Sequence, residues 1–556
     1  MKRIALTLAL GALALSACQT TGDTDVASAE PASPFNLARM KEDIRILASD
    51  EFEGRGPATP AEKKTTDYIV REMQAAGLQP GGTNGSWYQP VGLNFFKLSD
   101  PVNASLKVGR WSKPLAQGID VALRTRFPQA RFRANNAPVV FVGYGVSAPD
   151  RGWDDYKGVD LKGKIALVLV NDPDFETDQP GAFEGETMTY YGRWTYKYEE
   201  LARQGALGVI VVHETVPVGY GWPTVRNSNT NGVFDIVLAD ARGQRAPLEG
   251  WIQRPVAVEL FKQAGLNFEQ AKNQAKTKAF RPITLPGAGF TADFGVTVER
   301  TTSNNVIGVL RGTARPNETV LIGAHWDHLG RAQPDADGDD IYNGASDNAT
   351  GVGGLLEIAR VMAAGPKPKR SVVFAAWTVE ERGLLGSEYY AANPVQPLAT
   401  MAASFNMDGL SMLGPARDVT IVGEGKSMLE ERVVQLAAGM GLKMTPEAHP
   451  EVGSYYRSDH FPLAKVGVPS LYISEGQDLV NGGVAAGEAA YAAYIADKYH
   501  QPNDEFDPNA DLSGAIPELS IITTMAAEIA NDGGWPQWKP TSEFKAERDK
   551  TAAQRR

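Results

Sequence analysis

The second half of the chain holds a small set of acids and histidines whose types and spacing carry chemistry. The apolar run "SVVFAAW" leads into two adjacent carboxylates, Glu380 and Glu381, followed by a glycine-rich turn. "VLIGAHWDHLG" closes another apolar run with His325 and Asp327, and "SFNMDGL" closes a third with Asp408. "YNGASDNATGVGG" sets Asp347 in a glycine-rich turn ahead of a helical stretch, and "KYHQPNDEFD" supplies His500 in a loop. Neutral imidazole and carboxylate oxygens suit zinc. Two metals about 3.5–4 Å apart need a bridging carboxylate and a bridging water, and such a pair activates the water for hydrolysis. His325 and Asp327 are two apart on a strand, so both point to one face. Asp327 is therefore expected to orient the imidazole from behind. Glu380 and Glu381 would face opposite ways in a regular strand. At a strand end they diverge, which suits one metal ligand and one general base.

These groups need a scaffold that brings strand ends together. From about residue 291 apolar strands alternate with helical runs: "NNVIGVL", "TVLIGAHWD", "GVGGLLEIARVMAA", "SVVFAAW", "MAASFNMD", "VPSLYIS". Such alternation predicts a layered α/β domain with a mostly parallel mixed sheet. In open sheets of this kind binding residues collect at the carboxyl ends of the strands. Upstream, "TPAEKKTTDYIVREMQAAGLQPGG" predicts a helix with Thr59 as N-cap, Pro60 at its first position and Gly77 ending it. Residues 96–290 instead give short β-rich runs separated by proline, glycine and aromatic residues, the pattern of a separate inserted module. The expected organisation is 1–17 signal peptide, 18–34 flexible tether, 35–95 and 291–535 the two parts of the catalytic domain, 96–290 the insertion, and 536–556 an exposed charged tail.

The net charge of −11 argues against nucleic acid as a partner, which would need a basic footprint. The single cysteine, Cys18, follows a basic start (Lys2, Arg3) and an apolar stretch too short to span a bilayer. "LSAC" resembles the lipobox of bacterial lipoproteins, which implies a lipid anchor on Cys18. Gln19 after it implies sorting to the outer membrane of a bacterial cell envelope. One cysteine allows no internal disulfide and no thiolate metal cluster.

"GAHWDH", "GASDNATG", "EERGLLGSEYY", "NMD" and "YHQPND", in that order, resemble the co-catalytic di-zinc exopeptidases that include bacterial leucine aminopeptidases, glutamate carboxypeptidases and the catalytically silent transferrin receptors. The resemblance implies that His325 and Asp408 hold one zinc, Glu381 and His500 a second, and that Asp347 bridges them. It also implies Glu380 as general base, Asp327 as partner of His325, and Tyr499 as a stabiliser of the oxyanion. "YRSDHFPLAKVGVPS" resembles a pocket-lining segment of the family, with Asp459 and His460 as the substrate-facing groups. "VVFVGYGVSAP", "YKGVDLKGKIALVLVNDPD" and "ARQGALGVIVV" resemble a protease-associated domain, read either as a cap that selects substrates or as a passive insertion. The implied activity is removal of terminal residues from peptides, as an aminopeptidase. Carboxypeptidase and dipeptidase action, a glutaminyl-cyclase-like acyl transfer on the same fold, and a non-catalytic receptor role stay open.

Other motifs are weaker. "DADGDDIYNGAS" from Asp335 fails the EF-hand pattern, which needs glycine sixth and an acid twelfth, where Asp340 and Ser346 stand. No G-x-S-x-G elbow and no H-E-x-x-H occurs. His213 reads as a strand-end residue of the insertion, His328 as a rim or structural residue, and His449 as a loop residue.

Overall fold

The computed structural model describes residues 33–99, 101–177, 181–230, 232–332 and 334–555. The expected signal peptide, Cys18 and all but the last two residues of the tether lie outside them. Residues Phe35–Arg556 form one compact unit.

The catalytic half opens with helix α1 (Leu37–Leu47), capped by the Asn36 side chain accepting from the Arg39 N–H, and α2 (Pro60–Ala75), with its proline in the first turn. Strand β1 (Tyr88–Leu98) follows. After the insertion come β2 (Ile283–Leu310), β3 (Arg315–His325), α3 (Thr350–Ala364), β4 (Arg370–Trp377), β5 (Met401–Asn406), β6 (Ser470–Glu475), α4 (Gly483–Asp497) and α5 (Ile516–Asn531). Strands β4, β3, β5 and β6 lie side by side in that order and parallel. β2 and then β1 extend the sheet antiparallel beyond β4. The continuous apolar runs of the parallel strands are explained by burial on both faces. Val320, Ile322, Val372, Phe374 and Ala376 join α1, α2, α3 and α5 in one core, whereas Leu321, Val373, Ala375 and Trp377 pack on the other face with Tyr390 and Leu463. The result is three layers, α/β/α. Truncating Phe374 to alanine would cost about 3–5 kcal/mol.

The inserted half forms a second sheet from Asn103–Val108, Trp111–Leu115, Val121–Arg124, Arg131–Phe141, Ile165–Leu169, Gly208–His213 and Leu248–Gln253. Its remaining strand is the first part of β2, which pairs with Asn103–Val108 and Arg131–Phe141 before running on into the catalytic sheet. The boundaries expected at 95/96 and 290/291 thus fall inside β1 and β2, which pair with each other over Val296–Val306.

The expected exposed tail is corrected. Trp538 and Phe544 are buried in an aromatic cluster with Tyr455, Tyr456 and Phe461, and the buried Arg548 guanidinium donates to the Met401 carbonyl. The charged pattern of this segment hides two aromatic anchors that cover apolar surface.

Candidate metal centre

The site sits at the carboxyl end of β3. From β3 the chain crosses through α3 to β4 on one side, then returns to β5 on the other. That reversal leaves a crevice at the strand ends, the usual binding place in open α/β sheets. His325 is the last residue of β3, Glu380 and Glu381 follow β4, and Asp408 follows β5.

The side chains converge. His325 Nε2 lies 3.1 Å from Asp408 Oδ1 and 3.3 Å from Asp347 Oδ1. His500 Nε2 lies 3.4 Å from the other Asp347 oxygen and 2.9 Å from Glu381 Oε2. Asp347 therefore turns one oxygen to each histidine, the arrangement of a bridging carboxylate. Two overlapping donor sets, His325–Asp347–Glu381 and His325–Glu380–Asp408, each have ligand atoms within 4.8 Å of one another.

Local structure fixes each group. Asp504 accepts the main-chain N–H groups of Ser346 and Asp347, holding the bridging turn. Asn348 accepts from Gly351 N–H and Gly409 N–H and donates to the Met407 carbonyl, which ties that turn to the end of β5. Gly344 has φ +57°, and a Cβ there would lie 2.2 Å from the Asp347 carbonyl oxygen, so only glycine fits. Val379, just before the two glutamates, is held at φ 56°, and His500 at φ 58°. Such backbone costs about 1–3 kcal/mol at a bulky residue and persists where packing over-determines it. Val379 is fully buried against Val91, Leu93 and Ile236. Ser458 donates to Asp408 Oδ2 at 2.5 Å and accepts from Asn406.

Asp327 acts differently from expectation. His325 Nδ1 meets the main-chain carbonyl of Asp327 at 3.1 Å, while the Asp327 carboxylate accepts the Glu380 N–H at 3.0 Å. The carboxylate therefore positions the glutamate turn, and the carbonyl orients the imidazole. Asp459 and His460 are also corrected: both are buried, at 0% and 1% exposure, and neither lines the cavity. Asp459 accepts from Ser387 Oγ, and His460 packs against the Tyr455 and Tyr472 rings. Tyr499 does line the cavity, stacks on His500 at 4.0 Å and accepts a 2.7 Å hydrogen bond from Arg457.

Two partners escaped the sequence reading. His328 is buried, with Nδ1 2.5 Å from Glu381 Oε1. Arg55 is fully buried beneath the site and donates to the carbonyls of Trp326, Leu47, Asn343 and Gly344. Burial lowers Arg55 only to about 10, so it stays charged and offsets Asp347, Asp504, Asp327 and Glu381. A signal for His328 was present, since it stands three residues past His325. His213 lies away, in the second sheet, bonded to the Tyr220 carbonyl, and His449 stacks on Tyr491.

The electrostatics fit a site that takes up cations. Burial alone would lower both imidazoles. Glu380 and Asp408 around His325, and Glu381 beside His500, hold them well above their ordinary value. Those protons balance the crowded acids, and metal uptake would release them. Burial pushes Glu380 well up; His325 opposes this, while Asp408, Asp459 and Glu381 add to it. Asp327 rises to about 7 by burial, and its Oδ2 has no partner among the described residues. A hard-oxygen and imidazole donor set with more acid than its cations balance is the chemistry zinc takes.

The centre opens into a cavity of about 1000 Å³ lined by both halves of the molecule, including Arg193, Tyr220 and Trp251 from the inserted half.

Known proteins resemble parts of this chain. Residues 305–521 match Peptidase family M28. Leupeptin-inactivating enzyme 1 of Streptomyces exfoliatus is 29% identical over 197 residues, 35% of this chain and 41% of that one. A glutamate carboxypeptidase 2 homolog of Caenorhabditis elegans is 25% identical over 395 residues, 61% of this chain and 46% of that one. The matches span less than half the length of either relative. The solved aminopeptidase from Aneurinibacillus sp. strain AM-1 shares the fold, with a TM-score of 0.52 at 20% identity over 90% of this chain and 96% of that one. The stretch that matches this family, residues 305–521, carries every proposed ligand.

Proposed function

We propose that the protein is a zinc-dependent exopeptidase that removes N-terminal residues from peptides. The observation that carries this is Asp347 between two histidines, one oxygen facing each, with Asp408 and Glu381 completing the two ends. His325 and Asp408 would hold one zinc, Glu381 and His500 the other, with Asp347 shared. When bound, such ions polarise a scissile carbonyl and acidify water. Glu380 takes a proton from the attacking water and returns it to the leaving amine. The Asp327 carboxylate fixes the turn from which Glu380 projects. Tyr499, held by Arg457, faces the cavity where an oxyanion would form. The protease-associated half walls the cavity and restricts what enters.

The test is digestion of a defined peptide mixture by the zinc-loaded chain, with mass spectrometry showing which end shortens. Loss from the C-terminus would overturn the reading, as would pyroglutamate formation without cleavage, or no hydrolysis by a fully loaded chain. His500→Ala should also lower zinc below two per chain by elemental analysis.

A second reading, action on short peptides with a free carboxylate, is favoured by two arginines. Arg193 is buried, and its Nε has no partner among the described residues. Arg457 lines the same cavity and bonds the Tyr499 hydroxyl. Burial, and then Arg457 beside it, lower Arg193 to about 10. A peptide carboxylate would pair with both. Comparing dipeptides with their C-terminal amides tests this: equal kcat/KM removes it.

The chain is further proposed to be a lipoprotein of the bacterial outer membrane, anchored through Cys18. Cys18→Ser should move it from the membrane to the soluble fraction; unchanged fractionation would end that proposal.

A further inference from the structure

One wall of the cavity carries acids that the metal centre does not use. Glu475 is the last residue of β6, at the same sheet end from which Asp408 projects beyond the neighbouring β5. It lines the cavity together with Leu410, Met412, Leu413 and Leu479. Its Oε2 is buried without a partner. Near the start of α5, Glu518 is 1% exposed, and both its carboxylate oxygens are buried without a partner. The charges that Glu518 feels, from Glu475 and Asp408, are acids. Among the described residues neither carboxylate forms an ion pair, and neither belongs to a donor set close enough to hold a metal ion.

A buried acid with no cation is costly to keep, and in a cleft it points to a ligand. The walls say what kind. Leu413 is 54% exposed, so apolar surface lies open beside the acid. A long aliphatic stem ending in a cation covers such surface and delivers its charge at the tip. We propose that Glu475, with Glu518 behind it, recognises the cationic side chain of a lysine or arginine at the N-terminus of the substrate. This rests on the N-terminal exopeptidase reading above and names its substrate class. Burial raises Glu475 to about 7. An arriving cation would pull its proton off, so recognition should strengthen above neutral pH.

The test uses the full, zinc-loaded chain on p-nitroanilides of lysine, arginine, leucine and norleucine. Norleucine keeps the stem and lacks the charge. The lysyl and arginyl substrates should exceed norleucyl by about 10-fold or more in kcat/KM, chiefly through KM. Glu475→Gln should erase that advantage, lowering kcat/KM on the lysyl and arginyl substrates far more than on norleucyl, and Glu518→Gln should weaken it less. A norleucyl preference in the parent chain would overturn the proposal. Equal loss on all four substrates in Glu475→Gln would do the same, by assigning the acid to the α-ammonium. Thermal denaturation with lysinamide or norleucinamide reads binding without turnover. Lysinamide should stabilise the parent chain more than norleucinamide does, and Glu475→Gln should lose the difference. If no aminoacyl substrate is cleaved, the exopeptidase reading fails by itself; equal shifts for the two amides overturn the Glu475 assignment independently.

Discussion

The two sheets share a strand, but Glu249 in one and a group of buried acids around the other are treated in opposite ways. In the second sheet Glu249 is fully buried and satisfied: Arg126 grips both oxygens, and Arg124 adds a bond at 3.2 Å. In the catalytic sheet Asp327, Asp459, Glu475 and Glu518 each leave a buried oxygen without a partner among the described residues. A paired buried acid is part of the architecture. An unpaired one is kept at a cost that only a ligand or a moving proton recovers.

Glu380→Gln should have the largest effect: kcat falls by about 10²- to 10⁴-fold, with zinc content unchanged by elemental analysis. Near-normal turnover would break the contrast at its centre, since that acid would be neither ligand nor base. Next, Glu249→Gln should lower stability by about 3–5 kcal/mol, read from the urea midpoint, because two buried guanidinium groups lose their counter-ion. The folded fraction should keep its kcat; a change there would mean that the second sheet takes part in the chemistry. Asp327→Asn should cost about 10- to 100-fold in activity or metal affinity, the usual range for a group positioning metal-site residues. The smallest effect is expected for Glu518→Gln. The folded-state pKa of Glu518 lies well above its ordinary value, by burial and then the acids around it. Its stability contribution is therefore full below the unfolded pKa of about 4.3 and is lost as pH rises through the folded value. The variant should match the parent chain at low pH and exceed it at pH 8 by about 1 kcal/mol or more, the worth of one pKa unit. No gain at pH 8 would mean that the acid is compensated after all.

The strand-end motifs made much of the centre legible. His325, Glu381 and Asp408 stand where apolar runs stop, and an open sheet gathers such ends. Asp347 and His500 were expected from motif resemblance, and the structure brings both beside the strand-end groups. The other contributors act through the chain's path. Arg55 reaches main-chain carbonyls from a left-handed turn before α2, and nothing in "EGRG" announces which carbonyls those are. Asp459 and His460 sit in a motif beside the pocket, but the short helix starting at His460 carries both inward. Asp327 was expected to meet His325 through its carboxylate; the period-two rule gives a face, not which of two oxygen-bearing groups arrives there. The three-layer catalytic architecture followed from strand–helix alternation. The domain limits did not, because the two halves are joined by paired strands with no linker-like composition at the crossing.

That crossing has a consequence for how the molecule comes apart. β2 runs 28 residues, and from Ala288 onward it stays paired, first in one sheet and then in the other, with β1 zipped alongside it at the passage. Melting either half strips a strand from its neighbour. Heat should therefore take both down in one calorimetric transition, and a protease should find no site at which to release the inserted half intact.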